Sequence, residues 1–164
     1  MTPTKDATEI RHWLLKSEPD AFSLDDLYRC PKRTDHWDGI RNYQARNFIR
    51  DEMKKGDEAF FYHSNCAEPG IVGIVKIVKE AYVDHTAFDP NEKYYDAKSD
   101  PDNPRWFMVD VQYRRRMKRN VSLAEMKANP ALEGFALLRK GNRLSVLPVE
   151  EQYWNEVLAM ETRK

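Results

Sequence analysis

The sequence predicts an α+β fold built around a strongly curved or barrel-like sheet. Short apolar segments typical of strands are grouped between segments of helical periodicity, instead of alternating with them one by one. Several short strands must also hide their edges, and a curved sheet does this. A chain of 164 residues with 41% hydrophobic residues is expected to form one domain with one core.

The first predicted elements are a strand and a short helix. Residues 12–16 are apolar and typical of a strand, which ends before Pro19 because proline cannot continue a ladder. An S-x-x-D capping-box pattern at residues 23–26 predicts the start of a helix, and Pro31 marks its end.

A turn and a second helix are expected next. Asp38-Gly39 is a turn signal and Asn42 is a good N-cap, so residues 37–42 are expected to form the loop that enters the helix. Its apolar stripe consists of Ala45, Phe48, Ile49 and Met53.

The second half of the chain is expected to be rich in strands. Further strands are predicted at residues 58–63, 71–78, 106–113 and 143–147, with helices from residue 122 to residue 130 and from residue 149 onward. Residues 84–104 form the longest irregular region and contain Tyr94-Tyr95-Asp96. Loops of this length are usually functional or mobile.

Two clusters of polar and aromatic residues, 37–47 and 60–65, suggest a binding pocket. A nucleobase needs a flat apolar surface for stacking, with donors and acceptors at its edge. Taken singly, each residue is better explained by the core, a cap or a turn, but their clustering favours a pocket. The stacking candidates are Trp37, Tyr43, Phe61, Tyr62, Tyr95 and Trp106, and the edge candidates are Lys16, Ser17, Asn42, Gln44, Ser64 and Asn65.

Charge limits how the chain could bind nucleic acid. Lys and Arg number 27 and Asp and Glu number 27, so the formal net charge of zero argues against coating long stretches of nucleic acid. Local basic patches remain possible. A basic run could contact phosphates, or could simply be the solvated end of a strand; it consists of Arg114, Arg115, Arg116, Lys118 and Arg119, with Arg139, Lys140 and Arg143 as further candidates.

Neither a metal nor an organic cofactor is expected. The four histidines and two cysteines form no ligand pattern, and phosphate-binding glycine motifs are missing. Cys66 and His63 lie close in sequence, but strand side chains alternate faces, so a nucleophile–base pair is not favoured.

The sequence also carries expectations about location. No apolar run reaches membrane-spanning length, so no membrane partner is expected. The two cysteines are expected to be reduced thiols, as in a reducing compartment. Residues 1–10 are expected to be a disordered lead-in rather than a signal peptide. We therefore expect a cytoplasmic protein with access to the nucleoid in a bacterium, or a nuclear one in a eukaryote, acting as a monomer.

Several ordered motifs resemble the EVE domain family. They are residues 13–19, 37–47, 61–65, 95–98, 106–111 and 143–149, and the resemblance extends from about Trp13 to Leu158. It implies a single EVE domain over residues 11–164 with a PUA-like fold, a curved β-barrel of five to six strands with flanking helices, related to YTH domains. The short chain suggests a stand-alone, bacterial-type member.

The resemblance implies a non-catalytic reader of a modified base, chiefly modified cytosine in DNA. An RNA-binding PUA-like module and an enzyme acting on modified nucleosides, with His63 as general base, are the alternatives. Ile40 replaces the usual valine, and the basic run at residues 114–119 lies outside the family signature. The implied base-binding residues are Lys16, Ser17, Trp37, Asn42, Tyr43, His63, Ser64 and Asn65, with Tyr95 and Trp106 at the rim.

Overall fold

Six strands form one mixed sheet in the computed structural model, which describes residues 11–163. The predicted disorder of residues 1–10 lies outside the described residues. The strands are β1 His12–Ser17, β2 Thr34–Trp37, β3 Glu58–His63, β4 Gly70–Val83, β5 Phe107–Ser122 and β6 Val146–Pro148. The order across the sheet is β2-β5-β4-β3-β1-β6; β1 runs parallel to β3, and the other neighbours are antiparallel.

Buried side chains cover both faces of this sheet. Successive side chains of a strand point to opposite faces, so neighbouring residues belong to different clusters. Leu14 and Phe60 belong to one buried cluster, whereas Trp13 and Phe61 belong to another. The single core expected from chain length is therefore divided into two by the sheet.

The long strands β4 and β5 give the sheet its curvature. Their antiparallel ladder shifts register at four places, and such bulges bend and twist a strand pair. The sequence prediction ended the last long strand at residue 113, but β5 continues to Ser122. The basic run at residues 114–119 is thus part of a strand and not the solvated end beyond one.

Among residues 11–163, four short α-helices flank the sheet: α1 Leu24–Tyr28, α2 Tyr43–Asn47, α3 Leu123–Lys127 and α4 Glu151–Met160. A π-helical turn at Phe48–Glu52 continues α2. Both predicted capping boxes are present, Ser23 with Asp26 and Ser122 with Glu125. The α+β prediction, with six strands and flanking helices, is confirmed.

One prediction about the central segment is wrong. Trp37 does not lie in the loop that enters α2, because it is the last residue of β2 and pairs with Val109 of β5. Asn42 does cap α2, accepting the Ala45 N–H at 2.9 Å. The loop is accordingly limited to residues 38–42.

Candidate functional site

A cleft of about 480 Å³ opens where β1 and β3 end side by side. The Ser64 N–H donates to the Ser17 carbonyl oxygen at 3.0 Å and so holds the two chain exits together. Pockets for small ligands commonly fall in the range of about 300–1,000 Å³. The cleft is lined by Lys16, Ser17, Glu18, Ala21, Phe22, residues 35–40, Ser64, Lys93, Tyr94, Arg143 and Ser145.

Trp37 provides the first aromatic surface of the cleft. Its side chain is only 7% exposed, and edge-to-face contacts with Phe61 at 5.4 Å and Phe22 at 6.2 Å between ring centroids fix its orientation. Such pairs prefer this geometry because the positive edge of one ring meets the negative face of the other. The indole therefore needs little reordering to meet a flat ligand.

Tyr94 provides a second aromatic surface, packed on the Gly39 turn. Gly39 has φ of +78°, and a Cβ atom there would lie 2.6 Å from the Tyr94 ring. Glycine is thus required both by the backbone conformation and by the ring. The Arg41 guanidinium donates to the Tyr94 carbonyl oxygen through Nη2 at 2.6 Å and Nε at 3.1 Å.

A buried carboxylate holds these segments together. Asp84 is fully buried, and its oxygens accept from Gly39 N at 3.0 Å, Arg41 Nη1 at 2.9 Å and Thr86 N at 2.9 Å. Burial by itself raises the pKa of Asp84, but the hydrogen bonds from Thr86, Gly39 and Arg41 hold that pKa below its usual value. Asp84 is therefore a charged anchor for the cleft wall.

Polar groups surround the aromatic surfaces. Burial lowers the pKa of the Lys16 ammonium and raises the pKa of the Asp38 carboxyl. Ser17 Oγ donates to the Phe22 carbonyl oxygen at 2.5 Å. The cleft thus offers hydroxyl, carboxyl and cationic groups to the edge of a flat ligand.

Comparison with known proteins assigns the fold and the family. The model of the EVE domain family matches residues 11–160, nearly all of the described chain. The chain belongs to the EVE domain family. The structure also resembles a YTH domain, that of a Zygosaccharomyces rouxii protein solved with N6-methyladenosine RNA. The TM-score is 0.52, and the match covers 96% of this chain and 87% of the other. Their 13% identity shows a shared fold alone.

Two relatives are much more similar to this EVE domain. Human thymocyte nuclear protein 1 is 49% identical over 93% of this chain and 75% of its own length. The crystal structure of that human protein in complex with DNA containing 5-methylcytosine has a TM-score of 0.89, covering 94% of this chain and 99% of the other. A Pseudomonas syringae protein of 49% identity has a TM-score of 0.87, covering 92% of this chain and 99% of the other.

Four of the predicted base-binding residues of this EVE domain line the cleft: Lys16, Ser17, Trp37 and Ser64. Two others have local structural partners outside it. Asn42 is the cap of α2, and Tyr43 is stacked on Trp106 with centroids 4.9 Å apart. Contact of Asn42 or Tyr43 with a base stays a prediction.

The remaining aromatic and amide candidates of the EVE domain are also placed away from the cleft lining. Trp106 is buried, and its Nε1 donates to Asp96 at 2.6 Å. Tyr95 is exposed, and Asn65 donates to Glu18 at 3.2 Å, next to the cleft. Glu18 itself is a lining residue, so Asn65 lies one side chain away.

His63 has a specific structural contact. Its Nε2 accepts the N–H of Leu24, the first residue of α1, at 3.1 Å. A neutral ring that accepts at Nε2 carries its proton on Nδ1, so its one lone pair is occupied. Burial lowers the pKa of His63 and keeps the ring neutral. This geometry does not favour the general-base role considered for an enzyme.

Sequence reasoning missed Tyr94 and Ser145 as lining residues, and it named Arg143 only as a further candidate for phosphate contact. Tyr94 and Tyr95 are adjacent in an irregular segment, where no periodicity indicates which ring points inward. Ser145 was hidden in a predicted strand, although its carbonyl oxygen accepts the Lys16 N–H at 2.9 Å beside the cleft. That pairing is long-range, and the sequence contains no local signal for it.

The basic run of β5 is largely engaged within the chain. Arg115 pairs with Glu161 at 2.6 Å, Arg116 pairs with Asp25, and Arg119 pairs with Glu125 at 2.5 Å. The predicted phosphate contact by residues 114–119 stays a prediction.

Neither a cluster of metal ligands nor a membrane-spanning helix occurs among residues 11–163. Among residues 11–163, no group of three His, Cys, Asp or Glu side chains is placed to hold a metal ion. No helix in that same part of the chain is long and apolar enough to cross a membrane.

Proposed function

We propose that this EVE domain is a non-catalytic reader of modified cytosine in DNA, and that the base enters the cleft beside Trp37 and Tyr94. The observation that carries the proposal is the similarity, at 49% identity, to human thymocyte nuclear protein 1, which was solved with DNA containing 5-methylcytosine. The cleft's combination of fixed rings and polar groups is consistent with this role.

A base inside a duplex is stacked and cannot enter a concave cleft. The reader must therefore take the nucleotide rotated out of the helix, or find it in a single strand. In our proposal Trp37 and Tyr94 contact the base faces, and Lys16, Ser17 and Ser64 bond its edge. One chain then binds one modified base.

Adjacent tyrosines provide a sharp test, because Tyr94 lines the cleft and Tyr95 does not. Two labelled duplexes that differ only in one 5-methylcytosine would be titrated with wild type, Tyr94→Ala and Tyr95→Ala. Base–aromatic stacking contributes about 1–3 kcal/mol, so Tyr94→Ala is expected to weaken binding of the methylated duplex by about tenfold or more. Tyr95→Ala is expected to leave the affinity within about twofold.

Three results would contradict the proposal. Wild-type protein that binds both duplexes equally is no reader of this mark. A larger loss from Tyr95→Ala would move the base toward the rim position predicted for that residue. Tighter binding of a matched RNA containing 5-methylcytosine would favour the RNA-binding alternative.

A further inference from the structure

A second depression, of about 530 Å³, lies next to the cleft and shares Lys16 with it. We call it the cation groove, because four cations and no carboxylate line it: Lys16, Lys127, Arg139 and Lys140. Its other lining residues are Tyr62, Leu123, Leu137, Leu138, Gly141 and Asn142. The chain as a whole has no net charge, so this concentration of one sign is local.

The cations of the groove are not used for ion pairs within the described fold. The salt bridges found among residues 11–163 include three from β5, but none from Lys16, Lys127, Arg139 or Lys140. The last three are exposed. Like charges placed together without counter-charges destabilise a protein slightly, and an anionic ligand would relieve that repulsion.

The loop that carries two of these cations has a defined shape. Asn142 donates through Nδ2 to the Ala136 carbonyl oxygen at 2.6 Å and accepts the Leu144 N–H at 2.9 Å. Gly141 takes φ of +81°, a left-handed conformation that glycine adopts without strain. The same loop reaches the cleft through Arg143. Residues 139–143 therefore lie between the cation groove and the cleft.

A tyrosine hydroxyl lines the groove as well. Tyr62 is only 4% exposed, so its ring is held in the core. Within residues 11–163 the one buried side-chain atom without a hydrogen-bond partner is Asn120 Oδ1, so the Tyr62 hydroxyl is not a buried unmatched group and can donate to a ligand in the groove. Burial raises the pKa of Tyr62 to about 12, so the hydroxyl stays a neutral donor.

We propose that the cation groove binds the DNA phosphates next to the base held in the cleft. This inference rests on the proposed function, because it takes the position of the backbone from a base placed beside Lys16. A nucleotide in the cleft keeps its flanking phosphates at the cleft mouth, and Lys16 is where the groove begins. Phosphate contacts fix the register of a protein on nucleic acid without reading its sequence.

The test is the salt dependence of binding. The variant Lys127→Gln/Arg139→Gln/Lys140→Gln would be compared with Lys54→Gln/Lys55→Gln, a control that removes exposed cations just before β3, at the end of that strand away from the cleft. Each duplex, methylated and unmethylated, would be titrated at several salt concentrations. Each phosphate contact contributes about 0.9 to the slope of log affinity against log salt.

The groove variant is expected to lose affinity for both duplexes by the same factor, with a slope reduced by about one to three. The preference for methylated DNA is expected to be unchanged, and so is the slope of the control. An unchanged slope in the groove variant overturns the inference. If the wild-type protein binds both duplexes equally, while the groove variant still has a reduced salt slope, the proposed function is contradicted and the phosphate site is not.

Tyr62→Phe provides an independent arm that removes only one hydroxyl. A hydrogen bond to a charged group is worth about tenfold in affinity, and we expect that loss with both duplexes. Unaltered binding by Tyr62→Phe together with an unaltered salt slope of the groove variant would mean that no phosphate lies here.

Discussion

Single residues determine the shape of the cleft wall. Gly39 allows the Tyr94 ring to lie against the backbone, and Asp84 ties that turn to Arg41. A buried carboxylate of this kind is costly to leave unpaired, because its own charge would then be buried without compensation. The wall therefore depends on residues that need not touch a ligand themselves.

Replacing Gly39 with alanine is expected to weaken DNA binding beyond its effect on stability. The left-handed φ costs about 1–2 kcal/mol for any residue with a Cβ atom, and the new methyl group would also displace Tyr94. Gly56 has φ of +98° with open space around it, so Gly56→Ala is a matched control for strain alone. Stability would be measured by urea unfolding, and affinity by titration with methylated duplex.

Both variants should lose stability through the left-handed φ, but only Gly39→Ala should lose affinity. If Gly39→Ala binds as well as Gly56→Ala, the position of Tyr94 is not needed for binding.

Among the elements, helix α1 depends on another part of the chain for its N-terminus. Ser23 caps it from within, and His63 at the end of β3 accepts a further amide. A short helix leaves much of its backbone without internal partners, so such caps matter. The contact also links α1 to the strand end beside the cleft.

This contact predicts a pH dependence of stability. The pKa of His63 is lowered from 6.5 in the fold, so the unfolded chain takes up the proton first as pH falls. The contribution of His63 to the free energy of unfolding is then fully present above about pH 6.5, and it decreases as pH falls through that value. His63→Gln is expected to make the decline between about pH 7 and pH 5 shallower, as measured by urea unfolding.

Part of the decline should persist in that variant, because burial also lowers the pKa of His12. His85→Gln, at an exposed position, is the control and should retain the wild-type profile. A profile of His63→Gln identical to wild type would show that the cap does not discriminate against the protonated ring.

Elements defined by local chemistry were predictable from sequence. Both capping boxes and the Asn42 cap involve residues three positions apart, so their patterns are visible in one dimension. The short strand β2 and the far half of β5 were missed, because polar residues in them are stabilised by pairing partners distant in sequence. Tertiary pairing overrides local propensity in such cases.

The candidate site was predictable to a similar extent. Strand ends and the aromatic at Trp37 were found because composition marks them, and four predicted residues line the cleft. Tyr94, Arg143 and Ser145 come from other segments that only the fold brings together. Conversely, Asn42 and Trp106 have polar groups whose partners are structural, and residue type alone does not distinguish the two uses.

At the scale of the whole fold, the described residues form two cores that share one sheet. Each central strand contributes alternate side chains to the two cores. Loss of either core would therefore disturb strands whose other face carries the second core. Fully buried Leu27 lies in one core and fully buried Leu147 in the other. This arrangement predicts that the two cores unfold together.

Leu27→Ala and Leu147→Ala should each reduce the free energy of unfolding by about 2–5 kcal/mol, the usual cost of a cavity at a buried leucine. Both variants should still show a single transition, with tryptophan fluorescence and far-ultraviolet circular dichroism coinciding. Separate transitions for the two probes in either variant would show that the cores are independent.

The pairing of Val83 with Phe107 has a consequence for how this fold could diversify. The ladder is closed by the Asp84 N–H donating to the Trp106 carbonyl oxygen at 3.0 Å, so the segment between them leaves and rejoins the sheet at one point. A segment anchored in this way can change in length and sequence, because the strands that hold its two ends are unaffected. A different ligand preference could therefore arise at Tyr94 without any change in the sheet.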